Sequence, residues 1–120
     1  MHEVGIAEEI YRVCRQSVEA NGGGRLARVR VAVGELSAVE PDLLEFAWRG
    51  VVAGGPDESA ELVIEWRPAV QVCTNCGHRT GGNHTARGAW LSVCPQCGGL
   101  MSIEGGRELD IIDLTIEEGG

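Results

Sequence analysis

Cys73-Thr74-Asn75-Cys76-Gly77, a run on to Val93, then Cys94-Pro95-Gln96-Cys97-Gly98: on this stretch the reading of the chain turns. Seventeen residues, Gly77 to Val93, separate the two Cys-x-x-Cys turns, a spacing that suits four thiolates closing on one zinc ion. Zn(II) has no geometric preference of its own and takes four sulfurs tetrahedrally at about 2.3 Å. Two residues between paired cysteines let one tight turn present both sulfurs to the same metal. Gly77 and Gly98 follow the pairs, where the chain turns sharply and glycine alone reaches positive φ without strain. The pattern is a zinc-ribbon signature, with Cys73, Cys76, Cys94 and Cys97 as ligands of a structural Zn(II). Two disulfides would require an oxidising compartment, and no hydrophobic signal segment opens the sequence. A thioredoxin-like redox pair needs one Cys-x-x-Cys at the start of a helix that follows a strand, not two matched knuckles. Four thiolates leave no position for an activated water, so the zinc is not expected to be hydrolytic.

Working outward, a segment of about 35 residues around the cysteines carries too little apolar surface to fold unaided, so metal must supply part of its stability. The remainder of the 120-residue chain has enough length for one modest core. Net charge is −8 and every basic residue is Arg. Such a balance opposes binding to a phosphate backbone, whose affinity comes from neutralising charge. No apolar run approaches a membrane span, and cytoplasm is the expected location.

Residues 4–20 read as a helix: Ile6, Ala7, Ile10, Val13, Cys14 and Val18 recur at helical steps, opposite Glu8, Glu9, Arg12 and Arg15. Cys14 lies on the apolar stripe and reads as a small buried hydrophobe. Asn21-Gly22-Gly23-Gly24 stops the helix. Arg25 to Gly34 alternates as a strand, with Val29, Val31 and Val33 facing one way. Pro41 suits the first turn of a second helix lined by Leu43, Leu44, Ala47, Trp48, Val51 and Val52. Glu61 to Arg67 alternates again through Leu62, Ile64 and Trp66. A last strand runs from Glu108 to Ile116, and its alternation slips at Ile111-Ile112, which predicts a bulge. The expected fold is α+β: a two-layer sandwich of a three-stranded sheet and two helices, with an inserted zinc-ribbon module.

Met1-His2-Glu3 opens directly into the first helix. Read on its residues alone, it is either an ordinary exposed terminus or a chelate. Methionine aminopeptidases need a small second residue, so His2 should leave Met1 in place with a free α-amine. That amine, the His2 amide nitrogen and the His2 imidazole can hold one metal in fused rings, with the Glu3 amide as a fourth donor. Planar nitrogen donation suits Ni(II) or Cu(II).

Three features occur in one order: Met1-His2-Glu3, the run Val29-Arg30-Val31-Ala32-Val33-Gly34-Glu35-Leu36-Ser37-Ala38-Val39-Glu40-Pro41, and Cys73-x2-Cys76 with Cys94-Pro95-x-Cys97-Gly98-Gly99. Together they resemble the HypA/HybF family of hydrogenase-maturation nickel metallochaperones, and the resemblance covers essentially the whole chain. It implies that Met1, His2 and Glu3 bind Ni(II), the transported ion, while the four cysteines hold structural Zn(II). Residues 1–68 with 107–118 would form the nickel-binding α/β domain, and residues 69–106 the zinc-binding domain. The implied partners are a nickel-handling GTPase of the HypB type and the large subunit of [NiFe]-hydrogenase. In some bacteria a urease accessory protein joins them. The chain would act as a monomer or homodimer, with neither nucleic acid nor membrane as a target. Some members place a histidine beside the second knuckle. Here Gln96 and Gly98 flank Cys97, so a relay through such a histidine has no residue to use. His78 and His84 read as surface or supporting residues, since four cysteines already complete the zinc sphere.

The favoured function is a non-enzymatic nickel metallochaperone. The alternative is a zinc-ribbon nucleic-acid or transcription-associated binding module. Charge discriminates against it, because only Arg79 and Arg87 are basic in the cysteine module and the chain has a single Phe and a single Tyr. No nucleophile-and-base set or phosphate loop points to an enzyme.

Overall fold

A computed structural model describes residues 2–81 and 93–118. Its elements run α1 (His2–Ala20), β1 (Arg25–Gly34), α2 (Pro41–Val52), β2 (Glu61–Arg67), β3 (Val70–Cys73), β4 (Arg79–Gly81), β5 (Met101–Glu104) and β6 (Leu109–Glu117). They build two three-stranded sheets, ordered β2-β1-β6 and β4-β3-β5.

Helical spacing brings Ala7, Ile10, Cys14 and Val18 onto the buried side of α1. Leu44, Ala47, Trp48 and Val52 do the same for α2. Both stripes join the inner face of the first sheet in one apolar cluster that includes Leu26, Val29, Val31, Val33 and Leu62. The Trp48 indole settles edge-on to Tyr11, with centroids 5.9 Å apart, and its N–H donates to the Ala60 carbonyl at 3.0 Å. β1 runs parallel to β2 and antiparallel to β6. The slip in alternation at Ile111-Ile112 is a bulge: Arg30 opposes Asp113 and Val31 opposes Ile111, leaving Ile112 without a counterpart. Ile111, Leu114 and Ile116 thereby all reach the core.

The opposite sheet face is charged. Arg30 bridges Glu65 and Asp113, and Arg67 pairs with Glu65 at 3.1 Å. On the helix side one carboxylate is fully buried. Asp57, in the loop between α2 and β2, accepts from the Tyr11 hydroxyl (2.7 Å), Arg15 (3.1 Å) and the Leu26 N–H (2.8 Å). One side chain thus ties α1, β1 and the loop together.

Three details depart from the sequence reading. α1 begins at His2, ahead of residue 4; there the Glu3 carboxylate accepts the Glu40 N–H at 3.2 Å and joins the first turn to the start of α2. Leu43 points outward at 54 % exposure, because α2 buries only the stripe through Leu44, Ala47 and Trp48. Trp66 opposes Val33 in register, yet it lies next to the end of the edge strand β2 and is half exposed.

The chain leaves the first sheet after Arg67 and returns at Gly106. The turn after β1 clasps both crossings: Ala69 N–H donates to the Glu35 carboxylate at 2.9 Å, and Leu36 N–H to the Gly106 carbonyl at 2.6 Å. Gly106 has φ +86°, and a Cβ there would lie 2.5 Å from that of Ala69, so no other residue fits the crossing. Among the described residues no helix is long and apolar enough to cross a membrane.

Candidate metal centre

The second sheet is built from strands of three or four residues that lead into two turns. β3 ends on Cys73, and its partner β5 begins at Met101, three residues after Gly98. Each Cys-x-x-Cys closes as the same knuckle. Gly77 N–H donates to the Cys73 carbonyl (3.1 Å) and Gly98 N–H to the Cys94 carbonyl (2.9 Å). Both glycines stand at φ +79°, the left-handed conformation that other residues resist. Cross-links Cys73 N–H to His78 O (2.8 Å) and Cys94 N–H to Gly99 O (2.7 Å) finish each turn.

Four sulfurs converge as a result. The Cys73 and Cys97 Sγ atoms lie 3.5 Å apart, those of Cys76 and Cys94 3.7 Å apart, and all four lie within 4.8 Å of one another. A tetrahedral ion with sulfurs at about 2.3 Å would hold them about 3.8 Å apart, so the cluster has the dimensions of a Zn(II) site. No cysteine forms a disulfide. Backbone N–H groups point at the sulfurs: Asn75 and Cys76 toward Cys73 (3.3 and 3.4 Å), Gln96 toward Cys94 (3.3 Å) and Gly99 toward Cys97 (3.4 Å).

Those donors organise charge. The Cys76 N–H, helped by that of Asn75, draws the Cys73 thiol down to about 6. The Asn75 side-chain amide draws Cys97 below the ordinary thiol range. The His78 backbone favours ionised Cys76 too, but the sulfurs around it and burial outweigh that and push it up to about 12. Four thiolates repel one another unless a cation sits among them, and a soft divalent ion resolves the conflict. Held by all four sulfurs, such an ion would have no open position and would supply structure, not a reactive water.

Sequence reasoning named the four cysteines that converge here but passed over two supporting residues. Asn75 donates its side-chain N–H to Cys97 at 3.5 Å. A Cβ at Gly99 would lie 2.9 Å from the Asn75 Cβ and 3.1 Å from the Cys73 sulfur, so a side chain there would crowd the sulfur cradle. The signal was present in the doubled Gly98-Gly99, where the first knuckle has Gly77-His78. The sulfur cluster contains no His78 atom, and His84 lies outside the described residues.

Of the terminal triplet, Met1 lies outside the described residues; His2 is exposed and Glu3 half-buried in the first turn of α1. The Glu40 N–H holds the Glu3 carboxyl below its usual range. His2 and Glu3 thus stand on α1, while the four sulfurs stand at the turns of the second sheet.

Comparison with known proteins follows the same lines. The family model described as hydrogenase/urease nickel incorporation, metallochaperone, hypA matches residues 1–116. A hydrogenase maturation factor HypA of Chlorobium limicola is 37 % identical over 120 residues, covering 99 % of each chain. One from Rhodobacter capsulatus is 35 % identical over 117 residues, covering 97 % of this chain and 99 % of its own. In fold, the chain resembles a solution structure of a HypA protein (TM-score 0.68, 24 % identity, 99 % and 98 % coverage). It likewise resembles that of the Ni metallochaperone HypA from Helicobacter pylori (TM-score 0.62, 22 % identity, 98 % of each chain). A match that runs nearly end to end, on a shared fold with a four-sulfur centre, leaves one assignment: the chain belongs to the HypA family of hydrogenase and urease nickel-incorporation metallochaperones.

Proposed function

We propose that this chain carries Ni(II) on Met1, His2 and Glu3 and delivers it during maturation of [NiFe]-hydrogenase, while the zinc on Cys73, Cys76, Cys94 and Cys97 serves structure only. It acts without catalysing a reaction, in the cytoplasm. Residues 1–68 with 107–118 form the nickel-binding domain and residues 69–106 the zinc-binding domain. A GTPase of the HypB type and the hydrogenase large subunit are its exchange partners, with urease maturation as a second destination.

One observation carries the reading: α1 begins at His2. The first N–H groups of a helix have no intrahelical acceptor. Nickel can therefore displace the His2 and Glu3 amide protons without breaking the helix. Loss of two protons leaves a formally neutral centre with Ni(II), so the positive end of the helix does not repel it. The Met1 α-amine and the exposed His2 imidazole complete four nitrogens, a donor set that suits Ni(II) and differs in softness from the thiolates that suit zinc. Exposure of His2 gives a recipient access to the ion.

The test is a nickel titration of untagged protein, protein extended by one residue before Met1, and His2→Ala. Extension turns the amine into an amide and leaves every side chain in place. Both changes should reduce nickel affinity at least about a hundredfold, the scale of losing a metal ligand or its support, with zinc content and thermal unfolding unchanged. Equal affinity in all three would move the nickel site away from the terminus.

A further inference from the structure

The order β2-β1-β6 leaves two strands at the edges of the first sheet, and the two are built differently. β6 is guarded. Register shifts interrupt its pairing with β1, and it carries Asp110, Asp113 and Glu117 with no basic residue. Bulges and charges are the means by which edge strands avoid further pairing. β2 has no such interruption. It runs in unbroken register beside β1 from Glu61 to Arg67, holds neither Pro nor Gly, and leaves Trp66 49 % exposed. Among the described residues nothing pairs with its outer side.

One bond tells which backbone groups face outward. Glu35 N–H donates to the Arg67 carbonyl at 2.9 Å, which continues the ladder on the β1 side. Backbone groups of successive residues in a strand alternate between its two sides. Those of Val63 and Glu65 therefore turn to β1 as well, and those of Leu62, Ile64 and Trp66 line the free edge.

A second copy fits that edge. With β2 set antiparallel to itself about a two-fold axis at Ile64, the two Ile64 residues face each other, and Leu62 of one copy faces Trp66 of the other. Each of these outward residues then exchanges N–H and C=O bonds with its opposite. The same register sets Glu61 of one copy against Arg67 of the other. Glu61 is exposed at the start of β2, and the Arg67 Nε is buried with no hydrogen-bond partner among the described residues. Chains of net charge −8 repel at a distance, so contact needs opposite charges, and this register supplies them at both ends. Glu65 falls opposite Val63 and is already neutralised by Arg30 and Arg67. Pairing β6 with itself would bring carboxylates together with no cation from that strand.

We propose that β2 is a self-recognition edge, through which two copies of this chain join by Leu62, Ile64 and Trp66 into one continuous sheet, β6-β1-β2-β2-β1-β6, fastened at each end by Glu61 and Arg67.

Sedimentation velocity of the untagged, zinc-loaded chain over a range of concentrations measures the association. Wild type should pass from monomer to dimer as concentration rises. Glu61→Arg and Arg67→Glu should each weaken the dimer at least about tenfold, because opposed like charges destabilise a strand pair and the axis repeats every substitution. The double variant, with both charges exchanged, should recover most of that loss, which a folding defect in either single variant would not allow. Zinc content should stay the same throughout. Hydrogen exchange in the wild type tests the register without any substitution. The amides of Leu62, Ile64 and Trp66 should gain protection as concentration rises, while those of Val63 and Glu65, already turned to β1, should not. A chain that stays monomeric at its highest soluble concentration would overturn the proposal. So would a dimer indifferent to Glu61→Arg, or one whose concentration-dependent protection falls on β6 or the helices.

Discussion

Two sheets of three strands stand in this chain, and they are held by different means. Against β2-β1-β6 lie two helices and an apolar cluster whose every buried member falls between Ala7 and Leu62. Among the described residues the β4-β3-β5 sheet contributes nothing to that cluster. Around it Val93, Leu100 and Ile103 are 53 %, 70 % and 39 % exposed, and the buried groups include the sulfur-bearing Cys73 and Cys94. Strands are equal in number, so strand pairing does not distinguish them. What differs is whether apolar side chains or four sulfurs and their ion define the interior. The division predicts which perturbations stay local.

The largest effect should come from the sulfurs. Structural zinc in comparable small modules binds with about 10–16 kcal/mol of apparent free energy, much of which is folding free energy. Cys94→Ala should abolish stoichiometric zinc, and the amides of β3 and β5 should lose protection from hydrogen exchange. β1 amides should keep theirs. If β1 protection collapsed along with β3, the two sheets would be one cooperative unit and the comparison would fail.

The reciprocal experiment is Asp57→Ala. Removing one partner of a buried charge pair costs about 3–5 kcal/mol, and here Tyr11, Arg15 and the Leu26 N–H all lose their acceptor. The first sheet should unfold at lower temperature while the four-sulfur site still binds zinc. Burial by itself would raise the Asp57 carboxyl, but the Tyr11 hydroxyl, the Leu26 N–H and Arg15 together hold it below the ordinary carboxylate value. A carboxyl lowered on folding stabilises above its unfolded value, and that contribution disappears as pH falls through its folded value. Wild type should therefore exceed Asp57→Asn by a constant margin above about pH 4, with the margin shrinking in more acid solution. A margin that grew on acidification would contradict the geometry around Asp57.

Legibility in the sequence follows the same division. Where apolar side chains set the structure, their period could be read: β1 and α2 fall on their expected residues, and one slipped alternation located the bulge at Ile112. The four sulfurs were legible from spacing alone. Strands of three or four residues, such as β4 and β5, are too short to show a period. Asp57 escaped because Gly54-Gly55-Pro56-Asp57 has the composition of a surface turn. Its burial depends on Tyr11 and Arg15, more than forty residues away. The outward turn of Phe46 was equally hidden, since a hydrophobe in an amphipathic helix is read as core until packing is seen.

A smaller effect tests the junction. Glu35→Ala leaves the fully buried Ala69 N–H without its acceptor, a loss of about 1–3 kcal/mol. Because Glu35 touches the crossing and neither interior, it should loosen residues near Ala69 and Gly106 while zinc content and the melting of the α1–α2 layer change little. Zinc loss in Glu35→Ala would mean that the crossing, and not the sulfurs alone, sets the knuckle geometry.

The smallest effect should come from the fifth cysteine, which makes the comparison with one residue type. Cys14 is fully buried on α1, and burial, with the Asp57 charge behind it, pushes its thiol up to about 11. A protonated thiol in an apolar setting is neither nucleophile nor ligand. Cys14→Ala should cost only about 1 kcal/mol, the ordinary range for a core substitution, and leave zinc binding intact. Alkylation counts the difference directly. Native protein with zinc should resist iodoacetamide at all five cysteines, and chelated protein should gain four adducts, at Cys73, Cys76, Cys94 and Cys97. Only unfolding should release the fifth. If chelation alone exposed Cys14, loss of the ion would have opened the apolar layer as well, and the first sheet would depend on the metal that its own packing is expected to make unnecessary.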